Sequence, residues 1–334
     1  MVSTPLVESL KFDQSSAVQM VSIGADKTFL TEYRTLSRPG TSKRIILVDP
    51  KFTEEFNRYR AGTFRERAID KKDIKTGDQP ATIFILDTAK IASTFSVEIK
   101  NNIIEDKLFN VAGMIPGKSK PNEFVIFSGH YDHLGIGKAV DQDSINNGAD
   151  DDASGTTAMI ALAKYYKKLN NNERTLLFVA FTAEESGGFG ARYFSEQLNP
   201  DDVVAMFNIE MIGKDSKFGP NTAYITGYDK SDFGKILQKN LEGTEFTFHP
   251  DPYPSQNLFY RSDNATLAAL GVPAHTISTV QIDQDKLYHT VKDEYSSLDT
   301  ENIYSTIKGI AKSAIGIVKG VDTPTRVPKM APRQ

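Results

Sequence analysis

The chain has 334 residues, 39% of them hydrophobic, and a formal net charge of −4, which is enough apolar material for one large core or two smaller ones. Acidic and basic residues are interspersed along it, so there is neither the basic stripe that nucleic acid selects nor a polybasic membrane patch, and no nucleic-acid partner is expected. It contains no cysteine, which excludes disulfides and thiolate chemistry and leaves any metal to His, Asp and Glu.

No apolar run reaches the length of a membrane span, and the opening MVSTPLVESLKFDQ lacks the basic and apolar blocks of a secretory signal, so the expectation is either a cytoplasmic protein or one whose signal has been trimmed. Beyond it, KRIILVDP (43–50) and PATIFILDT (80–88) are β-branched apolar runs bounded by Gly and Pro, which predicts buried strands. The charged segment between them sets Phe52, Phe56, Tyr59 and Phe64 at near-helical spacing. STFSVEIKNNI (93–103) alternates like an edge-region strand, and KLFNVAGMIPG (107–117) follows as another before a Pro-Gly turn. These features divide the chain into an N-terminal accessory region at 1–95, a main domain at 96–324 and a tail at 325–334.

In the main domain EFVIFSG (123–129) is continuously apolar, as a strand buried on both faces requires. GTTAMIALAKYYKKLN (155–170) places Ala158, Leu162, Tyr165 and Leu169 on one helical face, with Ser154 as its N-cap. Strands at 175–182, 203–212, 223–228 and 274–279 then alternate with helices at 189–198, 232–241, 264–270 and 300–319. The alternation predicts an α/β fold, a three-layer α/β/α sandwich with a mainly parallel mixed central sheet, whose ligands gather outside the carboxyl ends of the strands. The Pro-punctuated loop FHPDPYPSQNLFYRSD (248–263) offers Phe248, Tyr253, Phe259 and Tyr260 as pocket walls.

The chemistry concentrates in SGHYDHLGIGKAVDQDSINNGADDDASG (128–155). His130, Asp132 and the triplet Asp150, Asp151 and Asp152 follow one apolar run, and Glu184, Glu185, Glu210 and His289 lie at or just past the ends of others. Zinc takes such nitrogen and oxygen ligands in tetrahedral sets. Three consecutive carboxylates exceed what a helix N-terminus needs, and one carboxylate can bridge two cations. Adjacent side chains at Glu184 and Glu185 point in different directions, so one can ligate while the other takes a proton. Glu210, between Ile209 and Met211, needs a compensating charge if buried.

The set GHYDH, GADDDASG, FTAEESG, FNIEMIG and LYHT, in that order over about 124–321, resembles the M28 family of zinc aminopeptidases. The resemblance implies two Zn²⁺ per chain held by His130, Asp151, Glu185, Glu210 and His289, with Asp151 as the bridge. It further implies Asp132 as an orienting residue, Glu184 as general base, and Tyr288 as stabiliser of the tetrahedral intermediate. With three ligand carboxylates and a bridging hydroxide, two Zn²⁺ form a neutral set. The implied activity is hydrolysis of N-terminal residues from peptides with a free amino terminus, by a metal-bridging hydroxide.

His133 receives no role, His275 reads as core or support, and His249 as a loop residue. Glu210 stands where the family often has Asp, and Asn264 where its SDH segment has His, leaving Asp263 without its usual neighbour. Region 1–95 weakly resembles a protease-associated accessory domain, and family habit places the protein in the periplasm or outside the cell, with any signal trimmed. Two other readings use the same fold: a glutaminyl cyclase-like zinc acyltransferase and a non-catalytic receptor-like homologue. The sequence does not specify the oligomeric state.

Overall fold

In the computed structural model, which describes residues 1–3, 6–38, 40–61, 68–87 and 94–331, the chain divides into two units, Met1–Asp106 and Lys107–Gln334. The first contains β1 (Val2–Ser3), β2 (Ser9–Asp13), β3 (Val18–Ile23), α1 (Phe29–Leu36), β4 (Lys43–Val48), α2 (Thr53–Ala61), β5 (Thr82–Leu86) and β6 (Ser96–Lys100). The two predicted strands are β4 and β5, the parallel centre of a sheet ordered β1-β5-β4-β3. Phe52 and Phe56 pack with Phe29, Val48 and Phe84; Phe64 lies outside the described residues. The division falls after Asp106 rather than near residue 96, because β6 pairs antiparallel with β2 from Ser9↔Lys100 to Asp13↔Ser96.

The second unit runs β7 (Val111–Ile115), β8 (Lys120–His130), β9 (Gly135–Val140), β10 (Asp143–Asn146), α3 (Gly155–Leu169), β11 (Arg174–Phe181), α4 (Phe189–Glu196) and β12 (Val203–Ile209). It continues with β13 (Thr222–Ile225), α5 (Phe233–Lys239), β14 (Thr247–Pro250), α6 (Asn264–Ala269), β15 (Ala274–Ser278), α7 (Thr300–Ser313) and α8 (Ile315–Val318). Seven strands form one sheet ordered β14-β13-β15-β12-β8-β11-β7. β8 is parallel to both β11 and β12, β12 to β15, and β13 to β14; β7 and the β13/β15 pair are antiparallel. The three-layer sandwich with a mainly parallel mixed sheet is therefore the fold.

Successive strand residues serve opposite faces. Val125 and Phe127 join Leu162, Tyr166 and Ile310 in one core layer, and Ile126 joins Val179, Met206, Leu267 and Val272 in the other. Burial of β8 on both faces is what its uninterrupted apolar run anticipates.

Several local expectations change. The inward face of α3 carries Ala158, Met159, Leu162 and Tyr166, while Tyr165 and Leu169 are 43% and 39% exposed; the Tyr166 phenol donates to the Ala311 carbonyl of α7 and sets the rotation. Ser154 makes no cap hydrogen bond to α3, its hydroxyl donating to the Asp150 carbonyl instead. The last helix is interrupted at Ala314 between α7 and α8. The segment after 324 packs against its own unit, with Val327 in the α6-side core and Arg326 Nη1 donating to the Val203 carbonyl. The β9/β10 hairpin escaped the pattern because every residue of β9 faces solvent. His249 sits on β14 rather than in a loop, stacked on Phe218 with ring centroids 4.1 Å apart.

Candidate metal centre

The carboxyl ends of three adjacent parallel strands converge on one point. His130 is the last residue of β8, Glu184 and Glu185 follow β11, and Glu210 immediately follows β12. The turn before α3 brings Asp151 across them, and the segment after β15 returns His289.

The acidic triplet divides its labour. The Asp152 carboxylate accepts the backbone N–H groups of His130 (3.0 Å), Gly155 (3.1 Å) and Met211 (3.2 Å), tying three elements together. Asp150 Oδ1 accepts the Gly213 N–H at 2.7 Å and the Ser154 hydroxyl at 3.2 Å. The Asp293 carboxylate accepts the N–H groups of Asp150 and Asp151, each at 3.1 Å. With its neighbours and its own backbone so held, only Asp151 turns its carboxylate to the imidazoles. The Asp151–Asp152 peptide is cis. Ala183, Met211 and His289 all have positive φ; each non-glycine residue held this way costs roughly 1 kcal/mol or more, a pattern that clusters at functional sites.

His130 Nε2 is 3.1 Å from Asp151 Oδ1, and His289 Nε2 is 3.2 Å from both Asp151 Oδ2 and Glu185 Oε2. Two groups of potential ligand atoms result: His130, Asp151 and Glu210, and His133, Asp151 and Glu185. Asp151 belongs to both; of the five residues expected to bind metal, His130, Asp151, Glu185 and Glu210 fall in these groups, and His289 lies beside the second, 3.2 Å from Asp151 and Glu185. His130 Nδ1 donates to the Asp132 backbone carbonyl at 3.0 Å, which leaves the Nε2 lone pair free for a cation. The Asp132 carboxylate is farther from that nitrogen, at 3.7 Å. It accepts instead the N–H groups of Glu184 (3.1 Å) and Glu185 (3.3 Å), so Asp132 aims the two glutamates rather than the imidazole.

Burial raises the Glu184 carboxyl to about 9, helped by Glu210. Glu210 rises to about 7 and Asp263 to about 8, in both cases through burial against neighbouring carboxylates with His130 opposing. Burial alone would neutralise His130, but Asp151, Asp152 and Glu210 hold its pKa well above the ordinary value. The cluster therefore holds more carboxyl groups than its imidazoles can keep ionised. Buried His130 Nε2 and Glu185 Oε1 have no hydrogen-bond partner. Divalent cations among these imidazoles and carboxylates would satisfy both deficits, and the donor set suits zinc.

Beside the cluster lies a cavity of about 100 Å³ bounded by Asp151, Glu184, Glu210 and Tyr288 and walled by Met211, Tyr224, Leu258, Val280 and Ile282. Tyr288 stacks on His289 at 3.8 Å, and burial raises its hydroxyl pKa. Of the aromatic loop, Phe248, Tyr253 and Phe259 are buried away from this cavity, and Leu258 and Arg261 line it instead. Asn264 is stitched into the scaffold, donating to the Phe259 and Ala274 carbonyls and accepting the Thr276 hydroxyl. Asp263 is buried with both carboxylate oxygens unpartnered. His275 is a core residue, its nitrogens 2.8 Å from the Thr226 carbonyl and from the Ser231 hydroxyl. Sequence reasoning missed His133, whose signal was the His-x-x-His spacing of HYDH, and Asp293, which left none.

A three-layer α/β/α domain with a histidine and carboxylate cluster at the carboxyl edge of its parallel strands has the architecture of a metal-dependent hydrolase. Residues 110–314 match Peptidase family M28, and the chain belongs to that family. Carboxypeptidase Q of Mus musculus is 32% identical over 154 residues, covering 42% of this chain and 30% of that protein. Leucine aminopeptidase 1 of Ajellomyces capsulatus is 25% identical over 224 residues, covering 63% and 55%. BSAP, a zinc aminopeptidase from Bacillus subtilis, shares the fold with a TM-score of 0.54 at 17% identity, over 97% of this chain and 80% of that one. The chain spans 55% or less of the length of these curated relatives.

Proposed function

We propose that the protein is a zinc-dependent exopeptidase, most simply an aminopeptidase, with two zinc ions per chain. One observation carries the reading: the two oxygens of Asp151 face two donor sets, Oδ1 toward His130 and Oδ2 toward His289. That is the arrangement of a bridging carboxylate.

Zinc bound there would polarise the scissile carbonyl and acidify water. The chain's own residues do the rest. Glu184, held by Asp132 at the cavity wall, takes the proton of the attacking water on its carboxylate and passes it to the leaving amine. Its raised proton affinity suits a group that must hold a proton between those events. The Tyr288 phenol faces the same cavity and donates to the developing oxyanion. The aliphatic wall of Leu258, Val280 and Ile282 receives a medium-sized apolar side chain of the terminal residue, and the surrounding carboxylates attract its ammonium group.

Aminoacyl anilides, their acetylated counterparts and an N-terminal glutaminyl peptide test this. Anilide release from free-amine substrates alone, abolished by chelation and restored by Zn²⁺, is expected. Ammonia loss from the glutaminyl peptide with one bound metal identifies a cyclase, and inertness to every substrate identifies a receptor-like homologue. No helix among the described residues is long and apolar enough to cross a membrane, and the proposal places the enzyme in the periplasm or outside the cell, which fractionation checks.

A further inference from the structure

Resting on the zinc-centre reading above, we propose that His133 is a fourth protein ligand to the metal position formed by Asp151, Glu185 and His289, making the two metal positions of this site unequal. His133 Nδ1 is 2.8 Å from Glu185 Oε1 and 3.9 Å from Asp151 Oδ2. From the other side, His289 Nε2 is 3.2 Å from each of the same two carboxylates. Zinc bonds of 2.0–2.1 Å in tetrahedral geometry set ligand atoms roughly 3.3 Å apart. The four separations scatter around that value. The two imidazoles flank the carboxylate pair, their rings 5.6 Å apart and inclined at 67°.

Burial supports the same assignment. The His133 side chain is only 6% exposed, and both ring nitrogens lack a hydrogen-bond partner, as does Glu185 Oε1. The close approach of Nδ1 to Oε1 thus falls outside hydrogen-bond geometry. Two buried polar atoms left facing each other are costly, and a cation between them removes the cost for both. The backbone makes room for the ring: Gly148 has φ +63°, and a Cβ there would lie 2.6 Å from His133 Cγ.

The consequence is a division between positions. His130, Asp151 and Glu210 supply three donors, which leaves coordination open to water and substrate. His133, Asp151 and Glu185 form the second close set, and His289, 3.2 Å from both of its carboxylates, adds a fourth donor, as in closed sites that retain their metal. The four-donor position fills first and empties last.

Cobalt(II) titration of the metal-free protein, followed by proton NMR of hyperfine-shifted imidazole N–H resonances, counts ligated histidines independently of activity. The first equivalent is expected to produce two such resonances, from His133 and His289, and the second a third, from His130. In His133→Ala one of the first pair disappears, and affinity at that position falls by more than the roughly 10–100-fold that loss of a merely supporting residue costs. Circular dichroism on the variant confirms folding. Two bound cobalt ions with only two shifted resonances, unchanged in His133→Ala, would overturn the proposal while leaving the zinc-centre reading intact. Failure of the wild type to bind cobalt would overturn both.

Discussion

The two donor sets that share Asp151 are built differently. The inner one takes His130 and Glu210 from the ends of β8 and β12, strands locked in parallel register through Phe127↔Phe207 and Ser128↔Asn208. The His130 side chain is 1% exposed. The outer one takes its donors from connecting segments: His133 beyond β8, Glu185 beyond β11, and His289 after β15, 34% exposed and with φ +59°. Sheet register, with Asp152 on the His130 amide, places the inner ligands, whereas Glu185 of the outer set is placed by the Asp132 carboxylate. Asp132 grips the Glu184 and Glu185 amides, and Asp293 grips those of Asp150 and Asp151. The inner position should therefore tolerate loss of Asp132, and the outer should not, whereas Asp293 serves both through the shared Asp151.

The largest effect is expected where the sets meet. Asp151→Ala removes a donor from both, so metal analysis after dialysis should find neither ion and hydrolysis should fall to background; retention of two ions would remove Asp151 as the bridge.

Next, Glu184→Gln should lower kcat by roughly 10²–10⁴, the usual worth of a general base, with metal content unchanged. Glu185→Ala should instead cost the outer ion while the inner is retained. If the metal contents of these two variants came out in reverse, their roles would be exchanged.

A third prediction concerns pH. Folded-state pKa values of about 9 for Glu184, 7 for Glu210 and 8 for Asp263 all lie above ordinary carboxylate values. The folded metal-free protein therefore binds more protons than the unfolded chain across this range. Stability present below about pH 4 is lost as pH rises through the folded values. Between pH 5 and pH 9 the Tm of metal-free protein should drop by roughly 5 °C or more, and saturating zinc should flatten that slope. A slope identical with and without zinc would show that these carboxylates do not face the metal.

The smallest effect separates the clamps. Asp132→Asn should weaken the outer ion by roughly 10-fold while the inner affinity, read by competition with a chromogenic chelator, barely moves. Asp293→Asn, which loosens the shared Asp151, should weaken both by a similar factor. Equal losses at both positions in Asp132→Asn would erase the distinction between register-held and clamp-held ligands.

Much of this architecture was legible in one dimension. The apolar run from Phe124 through Ser128, the alternation of strands and helices, and the placing of His130, Asp151, Glu185, Glu210 and His289 at strand ends or turns are local properties, because periodicity and burial leave their mark on consecutive residues. The face of α3 was misjudged by one position because Tyr165 and Tyr166 are chemically alike, and only the phenol bond to Ala311 decides which turns inward. The β9/β10 hairpin was invisible because a wholly exposed strand needs no apolar alternation.

The sequence alone determined which residue types were available to the centre and in what order, since strand ends, turns and acidic runs are written in neighbouring residues. Tertiary structure decided the rest: that β6 belongs with β2, that the Asp132 carbonyl rather than its carboxylate meets His130, that Asp293 holds the Asp151 amide, and that His133 faces Glu185. Each of these depends on distances of a few ångströms between atoms, set by how the chain folds around each group and, for most of them, by segments far apart in the chain, and such distances arise only once the sheet has fixed its register and burial has removed water as the competing partner.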